Sequence, residues 1–333
     1  MALDIFKDTK DIDKVTGAKI LVFGEAGAGK STFVTTFPRS FLIDSENGHA
    51  FYLQNSPNVL KVANTQSFKE IEEALDELCD EQYMKDFDTF IIDSYSKVYD
   101  NMMGSAYDIV EKRALREKMK GKDVDLDDIN LTPRDWGTLK RWGNDINNLI
   151  TKMSSMGKIV VVTAREKPIE KTVKKGSNWV QEIVGYAPEL KKQESYDWDV
   201  VMRLVREKNP ETGEEEIYGK FIKDRTLGLQ GKKIKNPTFE IWKELFEKKT
   251  TKNGEVIDYT DDIDKSTEKL KNEETEVVDM LNDIKESMNE LDGDKKKEVF
   301  NFISEKLKQL NIKKLNEEVP KKVLEEILEE IKK

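Results

Sequence analysis

The sequence predicts an α/β fold with a mainly parallel sheet, followed by a small all-α unit at the C-terminal end. Three observations predict it. A glycine-rich stretch, Gly24-Glu25-Ala26-Gly27-Ala28-Gly29-Lys30-Ser31, joins the apolar run Lys19-Ile20-Leu21-Val22-Phe23 to a helical segment that Pro38 stops. Continuous apolar runs return at 40–44, 89–93 and 159–163, separated by segments of helical period, which is the pattern of strands covered on both faces. After about Lys248 the chain turns polar, and amphipathic helices then follow.

The first of these carries chemistry. It fits G-x-x-x-x-G-K-[ST] and lies between a strand and a helix, the context in which that spacing wraps the phosphates of a nucleoside triphosphate. The glycines let backbone N–H groups turn inward on phosphate oxygens, and the following helix N-terminus adds partial positive charge. Gly24, Glu25, Ala26, Gly27, Ala28, Gly29, Lys30, Ser31 and Thr32 are therefore expected to bind ATP, with Lys30 reaching the β- and γ-phosphates and the Ser31 hydroxyl on Mg²⁺. The run Asp88-Thr89-Phe90-Ile91-Ile92-Asp93 ends in an acid at the distance expected of the second nucleotide motif, so Asp93 is expected to hold Mg²⁺ as well.

Composition narrows the alternatives. The 333 residues carry a net charge of −10 and are 37% charged, which argues against coating duplex DNA by bulk charge but leaves room for a local basic strip. No apolar run is long enough to span a membrane, and the first residues lack the layout of a signal peptide. One cysteine, Cys79, falls in an amphipathic helix and reads as a buried structural thiol suited to a reducing cytoplasm. One histidine, His49, makes a His-rich metal site improbable.

In chain order, residues 1–18 form a polar arm with Leu3, Ile5 and Phe6 as its anchors, either loose or strapped to a neighbouring subunit. Residues 40–48 read as a buried strand breaking into a loop, and 59–62 as a short strand. Ser67 and Glu70 have the spacing of a capping box, with Ile71, Ala74, Leu75 and Leu78 on one face of the helix it opens. Residues 99–131 are a charged insertion containing Arg113 and Arg116. Pro133 opens a helix whose face is Trp136, Leu139, Gly143, Ile146, Ile150 and Met153. A strand at 158–163 leads into a hairpin with Lys171, Lys174 and Lys175 crowding its tip and Trp179 just after. Strands at 199–205 and 216–222 precede Lys223-Asp224-Arg225-Thr226, and Asn236-Pro237-Thr238 opens a helix to about Phe246. The expected units are an arm (1–18), an ATPase domain (19–248), a linker (249–273) and a helical domain (274–333) whose stripes include Val299, Phe300 and Ile303.

Many phosphate-loop ATPases place a Glu directly after the magnesium Asp, but here that position is Ser94. Glu46, just past the strand that follows the phosphate-loop helix, is the expected water-orienting acid, and Glu25 inside the loop is its rival. Asp44-Ser45-Glu46 and Ile91-Ile92-Asp93-Ser94 resemble the corresponding segments of RecA-type recombinases. Together with Trp136-Gly137, Val161-Val162-Thr163-Ala164 and Lys223-Asp224-Arg225-Thr226, they make residues 18–246 similar to the phage nucleotide-binding family with a RecA-like AAA domain.

That resemblance implies a RecA-like P-loop core and a role in phage DNA recombination or single-strand annealing. The protein would work as a homo-oligomer on single-stranded DNA in the bacterial host cytoplasm. It implies γ-phosphate sensing at Thr163, although relatives often carry a His where this chain has Arg165. It also implies Lys223 and Arg225 as cations reaching a neighbour's ATP, against the plainer reading of a salt-bridged turn. The DNA contacts it implies are the lysine-rich hairpin with Trp179 and the basic helix with Arg113 and Arg116; the plainer reading is a solvated helix and a tryptophan that plugs the core. Two other functions stay open: a nucleotide-gated interaction protein docking partners through its C-terminal helices, and a packaging or helicase motor.

Overall fold

The computed structural model describes residues 17–122, 124–125, 130–175, 178–191, 194–209, 211–247, 256–316 and 318–332. Residues 1–16 of the expected N-terminal arm, the hairpin tip at 176–177 and the side chain of Lys175 lie outside the described residues, and Ala18, the last residue expected in the arm, already belongs to the first strand. The chain divides into two compact units, Met1–Thr260 and Asp261–Lys333.

The first unit begins with β1 (Ala18–Gly24), α1 (Lys30–Val34), β2 (Ser40–Asp44), β3 (Val59–Ala63), α2 (Phe68–Leu78) and β4 (Thr89–Asp93). It continues with α3 (Tyr95–Met119), α4 (Pro133–Ser155), β5 (Ile159–Lys175), β6 (Asn178–Pro188), β7 (Val200–Lys208), β8 (Glu215–Asp224), β9 (Lys233–Lys235) and α5 (Lys243–Glu247). Among the described residues the strands form one sheet in the order β3-β2-β4-β5-β1-β7-β8-β9, with β6 paired to the outer half of β5. β1 is parallel to both neighbours, and β5 is inserted between it and β4. This is a mainly parallel α/β core of the P-loop type. The antiparallel strands β8 and β9 close one side of it.

Alternation along β1 explains why the sheet must be covered twice. Leu21 and Phe23 pack on one face with α2, α3 and α4, while Ile20 and Val22 pack on the other with Phe33, Phe37 and Trp242. These four β1 side chains are fully buried, so both faces need apolar partners, which only a two-sided core supplies. Cys79 sits in the first of these layers, and burial pushes its thiol up to about 11.

Two local expectations change. Ser67 caps α2 by accepting from Glu70 N at 3.3 Å, but the Glu70 carboxylate accepts from the Thr65 hydroxyl, so the capping box stays half-formed there. A full box forms at α4 instead, where Asp135 Oδ2 accepts from Thr132 N at 2.9 Å and Thr132 Oγ1 accepts from Asp135 N at 3.4 Å. Trp136, expected on the packed face of α4, is 47% exposed, because that face only meets the sheet from Leu139 onward.

In the second unit α6 (Asp262–Glu290), α7 (Gly293–Gln309) and α8 (Lys321–Lys332) enclose Leu281, Ile284, Val299, Ile303, Leu324 and Ile327. Phe300 is 62% exposed, one helical step off the buried stripe that Val299 and Ile303 occupy. The expected linker is much shortened. Ile257 N donates to Ser155 Oγ at 2.9 Å, Lys152 Nζ lies 2.9 Å from Asp258 Oδ2, and 262–273 already belong to α6.

Because each unit has its own apolar core, a protein ending at Thr260 should stay soluble, melt cooperatively and bind nucleotide with the affinity of the full chain. Circular dichroism melts and nucleotide titrations check this; an insoluble or nucleotide-blind product would make the helical unit part of the main core.

Candidate functional site

The parallel strands β1, β2 and β4 deliver their C-terminal ends to one place, beside Thr163 and Arg165 of β5. Gly24 ends β1 with its α-carbon so close to β7 that an added Cβ would sit 2.3 Å from Leu204 O, which explains a glycine there. Gly29, at φ 88°, turns the chain into α1 from the left-handed region. Between them the loop leaves Glu25, Ala26 and Gly27 exposed and buries Ala28 in the core beneath. A cavity of about 620 Å³ lies over it, with Gly24, Lys30, Ser31, Thr32, Glu46, Asp93, Arg165 and Arg206 in its walls. Lys30 Nζ donates to the carbonyls of Gly24 and Glu25 at 2.9 and 2.8 Å. Burial lowers its pKa, and the nearby Asp93 and Glu46 carboxylates work against that shift.

Asp93 is the best-supported acid of the site. Its burial alone would raise the carboxyl pKa, but hydrogen bonds from His49, Thr163 and Ser31 outweigh burial and hold it below the usual range. His49 Nε2 is 2.7 Å from Asp93 Oδ2, and the Thr163 hydroxyl donates to Asp93 Oδ1. The structure thus brings Ser31 and Asp93, the two expected magnesium ligands, into the wall of one cavity. A hydroxyl and a carboxylate are the hard oxygen donors that such an ion takes. Thr163, expected to sense the γ-phosphate, is fully buried and directs its hydroxyl to Asp93.

The acid after β2 is organised by Asp44, the register partner of Asp93 across β2 and β4. Asp44 Oδ1 accepts from Glu46 N and Gly48 N, both at 3.2 Å, and Oδ2 accepts from His49 N at 2.9 Å. One carboxylate therefore shapes the turn that presents Glu46 to the cavity and His49 to Asp93. Glu46 Oε1 accepts from Ser94 Oγ at 2.9 Å and from Arg165 Nη2 at 2.6 Å. Glu25 is exposed at the rim of the same cavity.

Sequence reasoning missed His49, Arg165 and Arg206 as members of this site. Arg206 Nη2 donates to Gly27 O at 2.5 Å, which clamps the loop from β7. A buried histidine five residues beyond a strand-ending acid was a usable signal; nothing local marked Arg206, because it reaches the loop only through the β1–β7 pairing.

The remaining candidates lie elsewhere. Lys223 and Arg225 are at the opposite ends of the strands: Val200 pairs with both Ile20 and Asp224, while Leu204 pairs with Gly24. Four residues of strand separate the two ends by about 13 Å. Lys223 Nζ donates to Tyr196 O at 2.9 Å and Ser195 O at 3.3 Å, and Arg225 is 64% exposed and 3.9 Å from Asp199. On the hairpin Trp179 is 68% exposed, which removes the core-plug reading, and Lys174 is its cross-strand partner. Lys171 pairs with Glu182 in the same ladder. Arg113 Nη2 lies 3.1 Å from Asp135 Oδ1, so this arginine fastens α3 to the start of α4, and Arg116 is exposed.

A protein family described as AAA domain matches residues 16–233, which contain the whole cavity. The chain belongs to this AAA-domain family. Nucleotide binding at the phosphate loop follows from that membership. The AAA domain is similar to the solved structures of the flagellar accessory protein FlaH from Methanocaldococcus jannaschii and of a KaiC-like protein from Pyrococcus horikoshii OT3. Both are 13% identical over 66% of this chain and 84% of the other, with TM-scores of 0.35 and 0.36. No curated protein matches the chain. Among the described residues no helix is long and apolar enough to cross a membrane.

Replacing His49 by Ala should leave the Asp93 carboxylate short of a donor in a buried setting. Stability should fall by about 1–3 kcal/mol, and affinity for the magnesium–nucleotide complex by about tenfold. Affinity for nucleotide with EDTA should change far less. Equal losses with and without magnesium would show that His49 serves the fold alone.

Proposed function

We propose that this AAA domain hydrolyses ATP with magnesium and acts as a homo-oligomer on single-stranded DNA, in phage recombination or strand annealing. The observation that carries the catalytic half is the convergence of Lys30, Ser31, Asp93 and Glu46 on one cavity at the C-terminal ends of three parallel strands. In this reading the loop N–H groups and Lys30 bind the phosphates, and Ser31 and Asp93 would hold Mg²⁺, which would supply neutralisation of phosphate charge. Glu46 orients water and accepts its proton, and Arg206 keeps the loop in shape. The nucleic-acid half rests on the family resemblance of residues 18–246.

A second reading has one observation in its favour. The Arg165 guanidinium sits on the Glu46 carboxylate, which neutralises the candidate base. A slow, nucleotide-gated interaction protein that uses ATP as a switch fits that contact. Steady-state ATP turnover, with and without single-stranded DNA, separates the two readings. Stimulation is expected, and its absence supports the switch.

Glu46→Gln should keep nucleotide affinity within about twofold and lower turnover by about 10²–10⁴. Normal turnover in this variant together with loss in Glu25→Gln would transfer the role to Glu25.

Arg225 lies too far from its own phosphate loop to act there, so any catalytic role is on a neighbour. Arg225→Ala should bind ATP and hydrolyse it poorly. Mixing it with Lys30→Ala should restore some of the activity, because mixed interfaces pair an intact loop with an intact Arg225. Absence of rescue at self-associating concentrations would leave Arg225 a structural residue.

A further inference from the structure

Besides the nucleotide cavity, the first unit carries a larger concavity of about 980 Å³ between the first turns of α4 and the residues Leu190, Lys191, Tyr196 and Asp197. Its floor is apolar, made by the buried Leu139 and Leu190 with Gly143 between them. Its rim is different. Trp136 is 47% exposed and Tyr196 72% exposed, and both line the groove. Lys140, Lys167 and Lys191 stand around them against one acid, Asp197. Three cations to one anion, on a chain whose net charge is −10, is a local reversal of sign.

The rim is held in place. Lys191 Nζ donates to Asn144 Oδ1 at 3.0 Å and Lys167 Nζ to Leu190 O at 3.4 Å, which fixes those ammonium groups along the groove. Lys223, the penultimate residue of β8, donates to the carbonyls of Ser195 and Tyr196 and so anchors the turn that carries Tyr196. The groove is also wired to the nucleotide cavity. Glu189, in the wall of that cavity, donates its N–H to Arg165 O at 2.7 Å, and its carbonyl accepts from Ser96 Oγ at 2.9 Å; Leu190 and Lys191 follow directly in the groove. Arg165 is the residue that holds Glu46.

The geometry points to this groove as the track for a single strand of nucleic acid, with Trp136 and Tyr196 as base-stacking platforms and the three lysines on phosphates. Flat aromatic faces beside cations suit unpaired bases, whose faces are open and whose backbone is charged. An apolar protein surface would leave the lysines unmatched, and a duplex hides the base faces that stack on aromatic rings. The assignment rests on the single-strand reading proposed above and names its surface. It also puts the strand on the α4 face, away from the hairpin lysines, within one hydrogen-bonded segment of the Arg165–Glu46 pair.

The test is anisotropy of a fluorescein-labelled oligothymidylate with the full chain, magnesium and a non-hydrolysable ATP analogue. Trp136→Ala and Lys140→Glu, both at surface positions, should each weaken binding about tenfold, and Trp136→Phe should retain most of it. Melting temperatures and nucleotide affinity should stay as in the wild type. The paired hairpin variant Lys174→Glu/Trp179→Ala should bind like the wild type. If the groove variants bind normally and the hairpin variant does not, the strand runs on the hairpin and the inference is overturned. If oligonucleotide binding persists but sedimentation shows the groove variants no longer self-associating, the groove is an interface between copies and the inference is likewise overturned. If the wild type binds no oligothymidylate in any nucleotide state, the single-strand reading itself fails and the groove assignment falls with it.

Discussion

A buried carboxylate must be paired or it destabilises the fold that buries it. Asp93 meets that condition with two side chains from different places, His49 from the turn after β2 and Thr163 from β5, and with Ser31 in the wall of the same cavity. Each donor can reach it only if β2, β4 and β5 are in their observed parallel register and the phosphate loop closes over β1. The same acid that marks the nucleotide site therefore checks the assembly of the sheet. Loss of any strand register would leave a charge in the core without partners.

Asp44 has the complementary role on the neighbouring strand. Its two oxygens accept three backbone N–H groups and so define a turn with two products, a carboxylate facing the cavity and an imidazole facing Asp93. This arrangement explains why a candidate base can stand on a strand other than that of the metal's acid. Ser94, which occupies the position next to Asp93, is not idle: its hydroxyl donates to Glu46 and its N–H donates to Ser45 Oγ at 2.8 Å. Residues 45, 46 and 94 form a single polar layer across the ends of β2 and β4.

The surface chemistry is distributed less evenly than the charge count implies. Several cations that look available in the sequence are committed in the fold. Arg113 joins two helices, Lys223 holds a turn, and Lys158 donates to the carbonyls of Met84 and Phe87 beneath the sheet. The aromatic residues divide likewise. Trp198 and Trp242 are core, while Trp136 and Trp179 are exposed on the α4 face and on the hairpin. Only the tertiary structure separates the two classes.

The sequence alone determined the α/β class, the phosphate loop, the strand ending in Asp93, the acid pattern after β2 and a separate helical unit. These are local: each is a run of residues whose period, spacing or backbone freedom carries its own meaning. Capping was only half legible, because Ser67 and Glu70 have the right spacing but Thr65 takes the glutamate. The tertiary structure decided what lay at a distance in the chain. It brought His49 to Asp93, Arg165 to Glu46 and Arg206 to Gly27, and it put Lys223 and Arg225 at the far ends of the strands from the loop. Nothing in the spacing of residues 44 positions apart, or 179, records that they meet. Those contacts follow from strand order, which is set by how the apolar faces of many segments are buried together.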